Sequence, residues 1–199
     1  KCITMEVSFR WRVLPFFMSR FQPIFIKEFL PTAKVYVARL WDSNQPVFCE
    51  KRKAAIEKCK NELHKKQKYC VWKLLEYALA CQGFDVPVVD FRFEGGKWIA
   101  SGIRFSLSHS YDYVAVAISD YPIGIDIQKY VGSDERVAKR VLSKKKYCEY
   151  LSAGDRDEFF IKEWTKIEAK FKCGEGGECK TVTVDDYALS VCVDLTERK

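Results

Sequence analysis

Three short segments hold residue types that could do chemistry, spaced so that their side chains share a face. Gly124-Ile125-Asp126-Ile127-Gln128 alternates apolar and polar residues after its glycine. On a strand, side chains two apart lie on one face, so Asp126 and Gln128 point one way and Ile125 and Ile127 point into the core. A carboxylate beside an amide oxygen suits a hard cation such as Mg²⁺. Gly124 lets a ligand or another backbone approach closely. A strand end with two solvated polar residues would carry the same letters. In the second segment Trp164, Glu168 and Lys172 fall four apart and line one helical stripe. Glu168 could act there as a metal ligand or base and Lys172 as a phosphate contact; a surface Glu–Lys pair beside a half-buried Trp has the same spacing. The third segment is Ser106-Leu107-Ser108-His109-Ser110. No acid is placed by spacing to orient the imidazole, so a nucleophilic triad is not indicated. Ser108 and His109 can instead bind a phosphate, with Lys97 and Arg104 nearby, or His109 can be a structural histidine.

The elements that must position these residues can be read from periodicity. Lys34 to Leu40 is rich in β-branched and aromatic residues and predicts a strand. A charged stretch from Glu50 to Asn61 predicts a helix. A stronger helix follows, with Val71, Leu74, Leu75, Ala78 and Leu79 at helical spacing, Lys65, Lys66 and Lys68 ahead of them and Gly83 as a stop. The middle is strand-rich: Val88 to Phe93, a turn at Gly95-Gly96, then Ile103 to Leu107, Tyr113 to Ile118 and Ile123 to Ile127. Helices return from Asp134. One covers about Glu135 to Leu142, another starts near Ser143, and a third opens on Asp155-x-x-Glu158 and runs to about Lys172. Thr181 to Val184 and Tyr187 to Val193 predict a closing hairpin. Helices and strands in each half predict an α+β protein of two lobes.

Composition narrows the class. Of 199 residues 48% are hydrophobic, enough for a sizeable core. A formal charge of +7 implies a negatively charged partner: nucleic acid, a phosphorylated cofactor or an acidic protein. No helix-turn-helix, zinc-finger or RNA-recognition signature accompanies the charge, so no nucleic-acid partner is expected. The nine cysteines are scattered without a Cys-x-x-Cys pair, which predicts reduced thiols in a cytoplasmic protein and no cysteine metal site. Residues 1–33 are rich in apolar side chains, but Arg20, Lys27 and Glu28 interrupt them. The interruptions argue against a membrane span and a secretory signal. This stretch is expected to be an extension of unknown role that lies against the domain or frays.

Taken in order, Ser108-His109-Ser110, then Gly124-Ile125-Asp126-Ile127, then Trp164-Thr165-x-x-Glu168-Ala169-x-x-Lys172 resembles the 4′-phosphopantetheinyl transferases of the larger, surfactin-synthetase-activating type. The last segment continues as Lys172-Cys173-Gly174-Glu175-Gly176, similar to the family's Lys-x-x-Gly-x-Gly. The resemblance extends from about Lys34 to the closing hairpin and leaves out residues 1–33. It implies a monomer of two similar α+β lobes, 34–120 and 121–199, packed as a pseudo-dimer with coenzyme A between them. It implies transfer of the phosphopantetheine arm of coenzyme A to a serine of an acyl or peptidyl carrier protein. Asp126, Gln128 and Glu168 then stand where the family holds Mg²⁺, and Lys172 where it holds the pyrophosphate. Glu168 is the expected base. Lys68, Lys97, Ser108 and His109 stand at contacts to the 3′-phosphate.

Four positions depart from the pattern. Gln128 replaces a glutamate, Ile167 a lysine, and Trp98 the proline after Lys97, while Lys146 occupies the place of an acid. Gln128 and Ile167 leave room for an alternative, a weakened family member that binds coenzyme A without efficient transfer. An amide oxygen can still coordinate Mg²⁺ or one of its waters, so weaker metal binding rather than loss is expected.

Overall fold

A computed structural model describes residues 25–29, 33–174 and 177–196. Most of the leading extension, and Glu175 and Gly176 of the glycine motif, lie outside the described residues. The first half runs β1 (Phe25–Phe29), β2 (Ala33–Arg39), α1 (Glu50–Glu57), α2 (Glu62–Cys81), β3 (Phe91–Glu94), β4 (Lys97–Ala100), β5 (Arg104–Ser110) and β6 (Tyr113–Ser119). The second runs β7 (Ile123–Lys129), α3 (Glu135–Val141), α4 (Lys144–Ser152), α5 (Arg156–Cys173), β8 (Glu178–Val184) and β9 (Tyr187–Val193). The result is α+β, as the sequence predicts, with antiparallel sheets ordered β1-β2-β6-β5 and β7-β9-β8 and a separate β3-β4 hairpin.

Each sheet has one face under a helix and one face toward the other sheet. Val114, Val116 and Ile118 of β6 pack with Val71, Leu74, Leu75 and Leu79 of α2. The alternate residues Ala115 and Ala117, with Val35 and Val37, pack against Ile125, Ile127, Leu189 and Val191 of the second sheet. Burying these side chains removes apolar surface from water, about 1.5–3 kcal/mol for each large aliphatic. The period of two then leaves Gly124, Asp126 and Gln128 on the opposite face of β7, under α5.

The helices start where the sequence supplies caps. Asn61, Asp134, Ser143 and Asp155 each accept a hydrogen bond from a backbone N–H of the first turn. Gly174, at φ 112°, ends α5 in a conformation that side chains rarely adopt.

Two expectations are corrected. Val88 does not open a strand: Val86–Val88 forms a 3₁₀ turn, because Pro87 fixes φ and lacks a donor, and Val88 is 75% exposed. Ser108-His109-Ser110 closes β5, at a strand end as expected, and its backbone pairs with Tyr113–Ala115. The cysteines are not all reduced. The β8–β9 register sets Cys179 opposite Cys192, with Cα atoms 4.1 Å apart, and the two form a disulfide that sequence spacing did not announce. Also, Phe25–Phe29 of the extension pairs antiparallel along β2.

Gly124 controls the seating of α5. A Cβ there would come within 1.8 Å of the Ala169 carbonyl oxygen and 2.7 Å of the Cys173 amide nitrogen. Both are backbone atoms of the turn that carries Lys172, so neither can swing away. Gly124→Ala is expected to destabilise the protein by about 3 kcal/mol, lowering Tm by roughly 6–12 °C in thermal denaturation.

Candidate functional site

Beside the core that the two sheets share, edge strand β5 of one lies against edge strand β7 of the other, and side chains form the seam. Ser106, Ser108 and Ser110 accept hydrogen bonds from the backbone N–H groups of Ile125, Ile127 and Lys129, at 3.1, 3.1 and 3.2 Å. Their spacing of two puts all three hydroxyls on one side of β5. Ser108 donates its proton to Asp126 Oδ1 at 2.8 Å, and Ser110 donates to Gln128 Oε1 at 3.0 Å. Thus the serine motif holds the acidic motif in place, and Ser108 is 7% exposed.

Asp126 is 3% exposed. Its Oδ1 also accepts from Lys172 Nζ at 2.7 Å, while Lys172 reaches the Ile125 carbonyl oxygen at 3.0 Å. Its Oδ2 is buried with no hydrogen-bond partner among the described residues. A buried carboxylate oxygen left bare is costly, which makes this atom a candidate cation ligand. Glu168 is half-buried one turn before Lys172, and Gln128 is half-buried two residues past Asp126. No group of three His, Cys, Asp or Glu side chains with metal-binding geometry occurs among the described residues. Mg²⁺ does not require one: it is commonly held by one or two carboxylates, with water and phosphate oxygens completing the shell. The oxygens of Asp126, Glu168 and Gln128 therefore fit it in kind.

On the other side of β5, His109 faces the helices. Burial first, and then the positive charges of Arg52, His64, Lys172 and Lys68, push its pKa down to about 4. An imidazole near Arg52, Lys68 and Lys172 marks a place where an anion would be stabilised. Arg52 was missed by sequence reasoning. It looked like one more charge in Lys51-Arg52-Lys53, yet it is 8% exposed, with its guanidinium 5.2 Å from the Trp72 ring and 5.7 Å from the Trp98 ring. One Nη donates to the Lys68 carbonyl oxygen at 3.0 Å, and its buried Nε has no partner among the described residues. Burial lowers its pKa to about 10. Trp98, the departure from the family's proline, thus flanks this arginine.

Among the three lysines at the head of α2, Lys66 is paired with Asp42 at 2.7 Å, whereas Lys68 is the one whose charge His109 senses. Lys97 is exposed on the β3–β4 hairpin opposite Glu94, and no hydrogen bond or ion pair joins it to His109 or Lys172. Lys146 bridges Glu149 and Glu163, at 2.8 and 3.6 Å, tying α4 to α5. Ile167, in the place of a lysine, is 38% exposed.

Among the described residues, Ser108 and Lys172 meet at Asp126, and His109, on the same strand as Ser108, lies near Arg52, Lys68 and Lys172: positive groups beside a buried carboxylate. The chain is similar to curated 4′-phosphopantetheinyl transferases. It is 29% identical over 149 residues to 4′-phosphopantetheinyl transferase Sfp of Bacillus subtilis strain 168, covering 69% of this chain and 65% of that protein. It is 39% identical over 97 residues to psf-1 of Bacillus pumilus, covering 45% and 42%, and 27% identical over 158 residues to ffp of Bacillus subtilis, covering 74% and 68%. The chain thus spans from under half to about two thirds of the length of these relatives. No protein-family model matches it. These similarities agree with the resemblance carried by the motifs: the chain is similar to 4′-phosphopantetheinyl transferases of the surfactin type.

His109 also sets a pH dependence. Its pKa falls from 6.5 to about 4 on folding, so between those values the unfolded chain binds more protons. Its contribution to stability is complete above pH 6.5 and is lost as pH falls toward 4. Histidine proton NMR, with His64→Gln to assign the signals, should show His109 neutral at pH 6. A phosphate-bearing ligand should raise its pKa.

Proposed function

We propose that this chain transfers the phosphopantetheine arm of coenzyme A to a serine of an acyl or peptidyl carrier protein. The observation that carries the reading is the buried Asp126, bonded to Lys172 through Oδ1 and unpartnered at Oδ2, on the strand beside the positive groups around His109. Likeness to proteins named 4′-phosphopantetheinyl transferase supports it.

On this reading Arg52, Lys68 and His109 hold the 3′-phosphate of coenzyme A, and Lys97 adds positive charge at the outer edge. Ser108 acts mainly as a support, because its hydroxyl is committed to Asp126 and the Ile127 amide. Lys172 neutralises the pyrophosphate as charge develops on its oxygens, which is where most of the catalysis of phosphoryl transfer lies. The hydroxyl oxygen of the carrier serine forms a bond to the β-phosphorus, the bond from that phosphorus to the bridging oxygen breaks, and adenosine 3′,5′-bisphosphate leaves. Glu168 takes the hydroxyl proton as general base. Asp126, Glu168 and Gln128 would hold Mg²⁺, which when bound supplies further charge neutralisation at the pyrophosphate.

The same reading makes the chain a cytoplasmic monomer whose two lobes, 34–120 and 121–199, are related as a pseudo-dimer. Two helix-covered sheets meeting at the serine seam support that division. Among the described residues no helix is long and apolar enough to cross a membrane. A second reading, a coenzyme A binder without efficient transfer, is favoured by Gln128, whose neutral amide is bonded to Ser110 where the family carries a charge.

Incubating apo carrier proteins with the chain, coenzyme A and Mg²⁺ should add one phosphopantetheine to the carrier by mass spectrometry. Cofactor binding with every carrier unmodified would establish the binder instead. Glu168→Ala should lower kcat by about 100-fold or more while leaving cofactor affinity within a few-fold. Near-normal turnover would remove Glu168 from its role. Because the chain carries +7 and carrier proteins are acidic, the apparent KM for the carrier should rise with added salt.

A further inference from the structure

We infer that Lys172 and a divalent cation compete for Asp126, so that the cation binds tightly only once a pyrophosphate has drawn the lysine away. The inference rests on the proposed coenzyme A and metal reading of this site. It concerns order and coupling, which that reading leaves open.

The argument starts from burial. Asp126 is 3% exposed, and its charge is met by Lys172 at 2.7 Å and by the hydroxyl of Ser108 at 2.8 Å. Removing the ammonium that meets a buried carboxylate leaves an uncompensated charge, which is strongly unfavourable. Lys172 therefore departs only if another cation takes its place. Conversely, a divalent ion arriving at Asp126 meets an ammonium already bonded to one carboxylate oxygen, and the resulting repulsion opposes its entry.

Lys172 is held in that position by more than Asp126. Its Nζ also donates to the Ile125 carbonyl oxygen at 3.0 Å, and α5 is seated on β7 by direct backbone contact at Gly124. The side chain is 29% exposed, so it can turn outward toward an anion without unseating the helix. Gln128 sharpens the competition. A carboxylate there would give the ion a second charge close to Asp126; the amide gives an oxygen dipole that already accepts from Ser110 at 3.0 Å. The missing negative charge has to come from the ligand. A pyrophosphate supplies it and attracts Lys172 at the same time, so ligand and ion enter in exchange for the ion pair. By linkage each then strengthens the binding of the other.

Calorimetric titration of the full chain with Mg²⁺, alone and with saturating coenzyme A, tests this without turnover, since no carrier is present. Mg²⁺ added to coenzyme A alone gives the reference. Mg²⁺ should bind at least about tenfold tighter in the presence of coenzyme A. The discriminating arm is Lys172→Met with Mg²⁺ alone, which should bind about tenfold tighter than the unaltered chain. Gln128→Glu, which retains Lys172 and the fold around it, should also bind Mg²⁺ alone more tightly and show weaker coupling. Lys172→Met that binds Mg²⁺ no better than the unaltered chain overturns the competition. If that variant does not fold, an unchanged affinity in Gln128→Glu overturns it. Coenzyme A bound with equal Mg²⁺ affinity in its presence and absence removes the coupling but leaves the transferase reading intact. A chain that binds no coenzyme A under any condition removes both.

Discussion

A carboxylate taken out of water must be neutralised and hydrogen-bonded, and at Asp126 three separate elements meet that requirement. Strand β5 supplies Ser108, helix α5 supplies Lys172, and β7 supplies the backbone that holds the aspartate. None of these contacts is local in sequence. They form only when both sheets are paired and α5 is seated on Gly124. The stability of the seam and the construction of the site are therefore one problem. The serines accept backbone donors along the edge of β7 that would otherwise be buried without partners, and two of them donate hydrogen bonds to Asp126 and Gln128.

The cationic pocket is built on a different principle. Arg52 keeps its charge in a nearly dry setting because Trp72 and Trp98 offer their ring faces and the Lys68 carbonyl accepts one of its protons. Its buried Nε has no partner among the described residues, and His109 nearby is held neutral first by burial and then by the surrounding charge. Gln67 donates to the Tyr111 carbonyl oxygen at 2.9 Å and so fastens α2 to the turn that follows β5. The buried pair Lys73–Glu76 does the same for the segment ahead of α1, through the Pro46 carbonyl oxygen and the Phe48 amide. Both anchors fix the helices that carry the positive charge relative to the strand that carries His109.

Much of this was legible in the sequence. The alternation of Gly124 to Gln128 gave the face that Asp126 shares with Gln128, the capping residues gave the starts of the helices, and the stripe Trp164-Glu168-Lys172 gave the helix that approaches β7. What escaped depends on contacts between distant segments. Burial of Arg52 is invisible in a run of basic residues, because it depends on where Trp72 and Trp98 lie. Ser108 looked like a phosphate contact, yet its hydroxyl joins the sheets, a role set by the register of two strands. The disulfide between Cys179 and Cys192 follows from hairpin register and from no cysteine spacing motif. Pro87 was the one local signal passed over.

The central claim is that one buried aspartate and a glutamate on α5 serve a single ion next to a phosphate pocket. A crystal structure of the chain with coenzyme A and Mn²⁺, using the anomalous signal of the metal, tests it most directly. The account predicts the metal peak within bonding distance of Asp126 and Glu168, with the 3′-phosphate among Arg52, Lys68 and His109. A metal peak away from Asp126, or a Glu168 carboxylate too remote to share the ion, would contradict it.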